Sequence, residues 1–387
     1  MNCSGTAIVI GYKGTNSTGL IRSLGEAGYD VVFASAYSCI ESRYVTDYIY
    51  LPDDESEKIK ILCDYLRKFP SPVAVFTGDD GSSMFLDDNW EVLSQLCYCP
   101  NAGGRLRALS DKSHMVSLAH QCGLRIPETC TLTLSKGIKC PILFPVIMKP
   151  CAGYAGRKTD IRICRNEEEF LASTDYLISN GYLQVLLQHF LEGTIVQDLC
   201  LTGCSIKDGT VVIPCTISKI RSYPLQQGSL SYGHVSQVLS QNDLSKLKTF
   251  VRETGYVGIF DIDMMVIDGS LFFIEINYRN GQNGYVSTAA GYNIPGNWFK
   301  GMQGYSMQEE KRLEPLYYMD EHCDYKHVLE KNISLKEWIH SIRCVSVFAM
   351  YHSKDLRPFI RQYLRIPEKW KRWFKAYFGV GVKDHDE

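Results

Sequence analysis

The chain has 387 residues, a net charge of −2 and 45% apolar residues, enough for two to three globular domains with a sizeable core. A near-neutral balance argues against general nucleic-acid binding, which relies on a strongly basic face. No apolar run reaches the roughly 18 residues needed to cross a bilayer, and no leader precedes the first strand, so a cytoplasmic location is expected. The 15 cysteines are scattered. Cys97 and Cys99 are too close for a metal pair, and Cys200 and Cys204 lack partners at zinc spacing, so reduced thiols are expected.

The first predicted element is an apolar strand, Thr6 to Ile10, followed by Gly11, Gly14 and Gly19. A helical pattern runs from Thr18 to Ala27, Gly28 turns the chain, and a second strand covers Asp30 to Ala34. This is the βαβ opening of a doubly wound sheet. Helix Glu55 to Lys68 and strand Val73 to Phe76 follow, closing at Thr77-Gly78-Asp79-Asp80. These strands are short continuous apolar runs, as expected when helices cover both faces. The opening glycines miss the GxGxxG spacing, which argues against a dinucleotide oxidoreductase. A first domain of about residues 1–110 is expected.

Ser110-Asp111-Lys112 opens a new segment, with a helix reaching Gly123 and an extended stretch from Pro127. Strand Pro145 to Met148 runs into Lys149-Pro150 and a loop holding Gly153 and Gly156. Helix Glu167 to Ser173 comes next. Strand Leu183 to Gln188 then enters His189-Phe190-Leu191-Glu192-Gly193. Four further strands are expected at Ile195 to Cys200, Val211 to Ile217, Gly258 to Val266 and Leu271 to Ile276. Asp268-Gly269 between the last two signals a tight hairpin. From about residue 306 the pattern is mixed, up to a basic aromatic end at Lys369-Trp370-Lys371-Arg372-Trp373-Phe374-Lys375-Ala376-Tyr377-Phe378. That end suits a docked helix or subunit contact, or an interfacial helix at an anionic membrane.

The hairpin is the segment most rich in chemistry. A turn at Asp268-Gly269 sets Asp263 opposite Glu275, and Asn277 shares the face of Glu275. Two carboxylates and an amide oxygen make the hard donor set that Mg²⁺ prefers. Asp261 is a second acid on that face, and Arg279 continues the alternation and can clamp phosphate or carboxylate. A solvated polar hairpin face would carry the same alternation, but the flanking Phe272, Phe273, Ile274 and Ile276 argue for partial burial. Lys149 before a small-residue loop, and Lys112 at a helix start, suit phosphate neutralisation; each alone also fits an ordinary surface lysine. Lys219 and Arg221 alternate on Thr216 to Arg221 and suit a substrate carboxylate or acyl phosphate, as would a charged edge strand. Arg43, Asp79 and Asp80 follow strand ends of the first domain, where open α/β sheets bind ligands; the two aspartates equally suit helix caps. His234 lies in a stretch read as flexible, either a base or plain surface.

Taken in order, Lys112, Lys149-Pro150 with its glycine loop, Leu187-Gln188-His189-Phe190-Leu191-Glu192-Gly193, Asp263 and Phe273-Ile274-Glu275-Ile276-Asn277-Tyr278-Arg279 resemble the ATP-grasp superfamily. The resemblance covers about residues 1–300 and is nearest to the carboxylate–amine ligase branch that includes D-aspartate ligases. Arg22-Ser23-Leu24-Gly25 with Gly28, and Ser42-Arg43-Tyr44, look like that branch's N-terminal domain. Gln188 stands where an acid is common, and Tyr278 where proline is frequent. The resemblance implies an α/β plus α+β fold: a Rossmann-like pre-ATP-grasp domain (1–110), then a two-lobed ATP-grasp domain (111–305, lobe A about 111–187, lobe B about 188–305), then a C-terminal extension (306–387).

It further implies ATP held by Lys112 and Lys149 under the Gly153–Gly156 loop. Adenine would be read near Gln188, His189 and Leu191, and the ribose by Glu192. Asp263, Glu275 and Asn277 would hold one or two Mg²⁺, with Mn²⁺ as a substitute. Arg279, Lys219 and Arg221 would serve catalysis. The implied activity joins a small-molecule carboxylate to an amine through an acyl phosphate, on an amino acid or small peptide. The alternatives are an ATP-grasp kinase-like phosphotransferase and a non-catalytic nucleotide-binding module. No nucleic-acid or membrane partner is expected, and a homodimer is compatible.

Overall fold

The three-dimensional description rests on a computed structural model, which describes residues 5–363 apart from 38, 71, 152–159, 226–227, 237–238 and 311–312. Strands β1 (Thr6–Ile10), β2 (Asp30–Ser35), β3 (Val45–Tyr50) and β4 (Val73–Thr77) form a parallel sheet in the order β3-β2-β1-β4. The apolar runs alternate between two cores. Ala7, Val9, Val31 and Phe33 face the helix Thr15–Glu26, whereas Ile8, Ile10, Val32 and Val75 face the helix Glu55–Leu66. This is the doubly covered sheet that the continuous apolar runs require. Strand β3 escapes the sequence pattern because it is an edge strand with only Ile49 buried.

A second sheet, in the order β5-β8-β6-β7, is built from β5 (Thr129–Thr133), β6 (Val146–Pro150), β7 (Arg162–Cys164) and β8 (Gln184–His189). All its pairings are antiparallel. One face packs on the helix Glu167–Ser179 through Phe170 and Leu177, against Val146, Met148, Val185 and Leu187. The other face carries Lys149, Leu186, Thr131, Gln188 and Thr129, which the register sets side by side.

The third sheet has seven strands: β9 (Val196–Ser205), β10 (Val211–Tyr223), β11 (Ser229–Ser236), β12 (Gly258–Ile267), β13 (Ser270–Asn277), β14 (Tyr317–Met319) and β15 (Val345–Phe348). Their order is β13-β12-β9-β10-β11-β14-β15. The strands Tyr317–Met319 and Val345–Phe348 therefore finish the sheet that the central part of the chain begins. The helix Gln241–Thr254 buries Leu247, Phe250 and Val251 against Leu199, Leu201, Phe260 and Phe273. The turn between β12 and β13 has Asp268 at φ 47° and Gly269 at φ 80°, the two positive values that a two-residue type I′ hairpin needs.

Trp298 and Phe299 of the helix Ile294–Met302 join the first sheet to the third. Phe76 meets Trp298 edge-on at 5.2 Å, and Trp298 donates its indole N–H to the Ser205 carbonyl at 3.0 Å. A second tie is ionic. Arg22 is fully buried on helix Thr15–Glu26, and its Nε lies 3.1 Å from Asp355 Oδ2. Its other nitrogens donate to the carbonyls of Ala349 and Met350. Asp355 also accepts from Ser42 Oγ (3.0 Å) and the Arg43 N–H (2.9 Å). Gly25, one turn on from Arg22, has Tyr44 so close that a Cβ there would lie 2.4 Å from the ring. The Arg22-Ser23-Leu24-Gly25 and Ser42-Arg43-Tyr44 segments thus meet at one point, locked by an acid far along the chain.

Asp355→Ala leaves the Arg22 guanidinium buried without its counter-charge, a loss of about 3–5 kcal/mol. Ser42→Ala removes one hydrogen bond of the same group, worth about 1 kcal/mol. Urea unfolding should order the two variants that way; equal midpoints would show that the ion pair contributes no more than the hydroxyl.

Candidate active site

Three rows of side chains line one face of the third sheet. Thr202, Asp261 and Asn277 form one row across β9, β12 and β13; Cys200, Asp263 and Glu275 form the next. Asp198 and Met265 begin a third. Asp263 lies directly across from Glu275 because a β-bulge between Met264 and Asp263 shifts the ladder by one residue; the turn at Asp268-Gly269 alone would set Asp263 against Ile274. Like charges directly opposite destabilise a β-pair, so this face needs cations. Lys112 supplies one. It begins the helix Lys112–Gln121, whose N-terminus is capped by Asp111, and its Nζ lies 2.7 Å from Glu275 Oε2. Lys219 of β10 supplies the other, with Nζ 2.7 Å from Asp263 Oδ1.

Lys149 projects from β6 beside this group and donates to Gln188 Oε1 at 2.8 Å. The charges hold one another away from their ordinary values. Lys112 first, then Lys149, pull the Glu275 carboxyl down to about 2 against the effect of burial. Burial and then the Lys112 charge push Lys149 down to about 8. Burial and the Asp263 charge raise Asp261 to about 6. Lys219 would be lowered by burial, but Asp263 and its neighbours carry it well above the usual lysine range.

Asp263, Glu275 and Asn277 offer hard oxygen donors from adjacent rows of one face, which suits a hydrated divalent cation shared with phosphate oxygens. Among the described residues no group of three or more His, Cys, Asp or Glu side chains is arranged to hold a metal, so an all-protein cage is not what this face offers. The described cysteines are free thiols.

The remaining sequence-derived candidates are placed as follows. Gln188 is buried and bridges Lys149 to Thr129 Oγ1, to which its Nε2 donates at 3.0 Å. His189 contacts the Leu143 carbonyl through Nδ1 at 3.1 Å, and its backbone N–H is committed to Glu128 O. Leu191 follows immediately on the exit from β8. Glu192 lies apart, in an exposed ion pair with Arg165 at 2.7 Å. Arg279 reaches Asp80 at 3.3 Å, and Asp79 caps the helix Asp80–Asp88. Gly153 and Gly156, like the basic aromatic end at 369–378, lie outside the described residues.

Arg221 is not brought to the carboxylates. It grips Asp324 through two nitrogens at 2.9 and 2.7 Å and lies 4.4 Å over the Tyr232 ring. The alternation that would align it with Lys219 is broken by a bulge, since Lys219 opposes Gly233 while Arg221 opposes the adjacent Tyr232. His234 is not in a loop but on β11, opposite Ser218 and Tyr317. Sequence reasoning missed Asp198, whose carboxyl is raised by burial and lowered by the nearby Lys219. The period of two from Asp198 through Cys200 to Thr202 was its one signal.

No family model matches the chain. The large chain of carbamoyl phosphate synthase from Gemmatimonas aurantiaca is 24% identical over 201 residues, covering 49% of this chain and 18% of that protein. The D-aspartate ligase of Enterococcus faecium is 22% identical over 232 residues, covering 56% of this chain and 55% of that protein. The chain thus spans about a fifth and about half of the length of these two curated relatives. Among solved structures, the L-amino acid ligase from Bacillus licheniformis superposes with a TM-score of 0.62 at 16% identity, covering 82% of this chain and 79% of that one. N5-carboxyaminoimidazole synthetase from Staphylococcus aureus, complexed with ADP, gives 0.64 at 16% identity, covering 83% and 86%. Biotin carboxylase from Campylobacter jejuni gives 0.63 at 15%, covering 80% and 74%.

The three sheets and the likenesses together define a class: the chain has the ATP-grasp fold. It shares that fold with the L-amino acid ligase, the N5-carboxyaminoimidazole synthetase and the biotin carboxylase named above.

The electrostatics predict that Lys149 titrates near 8, against about 10.4 for a free lysine. NMR of ¹³C-methylated lysines measures this. Removing the Lys112 charge (Lys112→Met) raises the Lys149 value, and Glu275→Gln lowers it; shifts in the reverse sense would contradict the arrangement.

Proposed function

We propose that the chain is an ATP-dependent carboxylate–amine ligase, and that the Asp263–Glu275 face with Lys112 and Lys149 is its nucleotide site. The observation that carries this reading is the pair of opposed carboxylates, each answered by a lysine from a different segment. Such a set accepts a metal-bound polyphosphate by exchanging partners: the acids turn to the cation, and the lysines to phosphate oxygens. In this reading residues 1–110 form a pre-ATP-grasp domain, 111–305 the two lobes, divided near residue 187, and 306–387 a C-terminal extension that lends the strands Tyr317–Met319 and Val345–Phe348 to the second lobe's sheet.

Asp263, Glu275 and Asn277 would hold one or two Mg²⁺, which offset phosphate charge when bound. Lys112 and Lys149 neutralise the phosphates, and Leu191 with Gln188 and His189 borders the adenine. A substrate carboxylate attacks the γ-phosphorus, the bond to the ADP oxygen breaks, and an acyl phosphate forms. Lys219 and Arg279 stabilise the negative charge gathered in that step, which needs positioning and electrostatics more than a covalent nucleophile. An amine then attacks the acyl carbon, the bond to phosphate breaks, and the departing phosphate takes up the proton the amine gives up. The similarity to L-amino acid and D-aspartate ligases supports an amino acid or small peptide as substrate.

A screen of amino-acid pairs for ADP release, with mass spectrometry of products, tests the reading. ADP release that requires both an acid and an amine is expected. A phosphorylated product without any amine requirement would mark a kinase-like enzyme, and ATP binding with no turnover under any mixture a non-catalytic module. Glu275→Gln and Lys149→Ala should each cut turnover by about 10²–10³-fold or more while the protein stays folded; full activity in either would overturn the site.

A further inference from the structure

Behind the carboxylate hairpin lies an open groove of about 1160 Å³, large enough for a drug-sized ligand. None of Lys112, Lys149, Gln188, Asp263 or Glu275 lines it. Its walls are the helix Lys112–Gln121, the connection from Gly123 to Thr131, and residues of the hairpin whose alternation sends them to the back of the sheet. The apolar part is supplied by Val116, Met264, Val266 and Leu271. Two cations complete it. Arg125 lies 5.5 Å over the Phe272 ring, Lys246 approaches from the helix Gln241–Thr254, and neither has a carboxylate partner among the described residues. Of the acids at the groove, Asp243 accepts from Ser240 at 2.6 Å, and Glu128 is exposed at the rim.

The groove shares walls with the carboxylate cluster. Lys149 Nζ donates to Gln188 Oε1 (2.8 Å), Gln188 Nε2 to Thr129 Oγ1 (3.0 Å), and Thr129 Oγ1 to the Pro127 carbonyl (2.7 Å). Thr129 and Pro127 both line the groove. On the other side Ser113, next to Lys112, bonds Thr131 at 2.9 Å, and both line the groove. Whatever parts or tightens these walls moves the supports of both lysines.

We propose that this groove is a regulatory site for a small anionic amphiphile, which lays its apolar body on Val116, Met264, Val266 and Leu271, sets its anionic group between Arg125 and Lys246, and alters nucleotide affinity through Thr129 and Ser113. The regulatory half rests on the nucleotide reading given above; the binding half does not. Linkage requires that an occupant which changes nucleotide affinity have its own affinity changed by the same factor.

The test is a fluorescence titration with 1-anilinonaphthalene-8-sulfonate, an anionic amphiphile that brightens on apolar surfaces, with and without saturating Mg-ADP. Saturable dye binding that Mg-ADP does not abolish is expected, weakened about tenfold in Arg125→Gln/Lys246→Gln, a variant whose ADP affinity without dye is unchanged. Dye should shift ADP affinity by about fivefold or more in the parent protein. Thr129→Val, which keeps the shape of the wall but breaks the hydrogen-bond chain, should retain dye binding and lose most of that shift. Simple competition between dye and ADP, indifference to the double charge variant, or an ADP affinity blind to the dye would each overturn the proposal. Failure of ADP to bind at all would instead sink the nucleotide reading, and the charge variant would still decide the binding half.

Discussion

Everything at the carboxylate face follows from one constraint: two acids placed squarely across a β-hairpin repel each other unless cations reach them. Asp263 and Glu275 are only partly exposed, so solvent screens them incompletely. The chain meets this with lysines drawn from opposite directions. Lys112 arrives at the start of a helix that leads into the small sheet, and Lys219 comes from the far side of β9 on the large one. Glu275 stays ionised far into acid because of Lys112, while Lys149 gives up part of its basicity first to burial and then to the Lys112 charge. The Lys112–Glu275 pair therefore adds to what burial does to its neighbours.

The same face is tied to the first sheet. Beyond Asn277 the chain passes Arg279, paired with Asp80, and Asn280, which bonds Thr77 and Asn16 at the carboxyl ends of that sheet. The strand ends of the first sheet, the usual ligand position in open α/β folds, are therefore joined within a few residues to the strand that carries Glu275 and Asn277. Ligands held there and at the hairpin would be adjacent by construction.

What could be read from the residues was local. The Asp268-Gly269 turn marked the hairpin, although the pairing of Asp263 with Glu275 also needs a bulge beside Met264 that the residues do not announce, and the apolar runs of β1, β2 and β4 announced strands covered on both sides. Strand β3 was invisible because an edge strand buries little, and β14 and β15 because strands of three and four residues leave no pattern. The alternation of Lys219 and Arg221 misled because a single bulge swaps faces, and nothing in the residue types marks that bulge. Arg22 looked like part of a local motif, yet its meaning lies in Asp355, a pairing that no local pattern encodes.

The distance along the chain between Arg22 and Asp355, 333 residues, has a consequence for biosynthesis. Translation at about 5–20 residues per second separates the two by tens of seconds. During that interval the first sheet emerges from the ribosome with an arginine it cannot bury and an open contact where residues 349–355 will later sit. The N-terminal unit thus waits, incompletely closed, for the far part of the chain, and this nascent state is the one most exposed to chaperones and proteases.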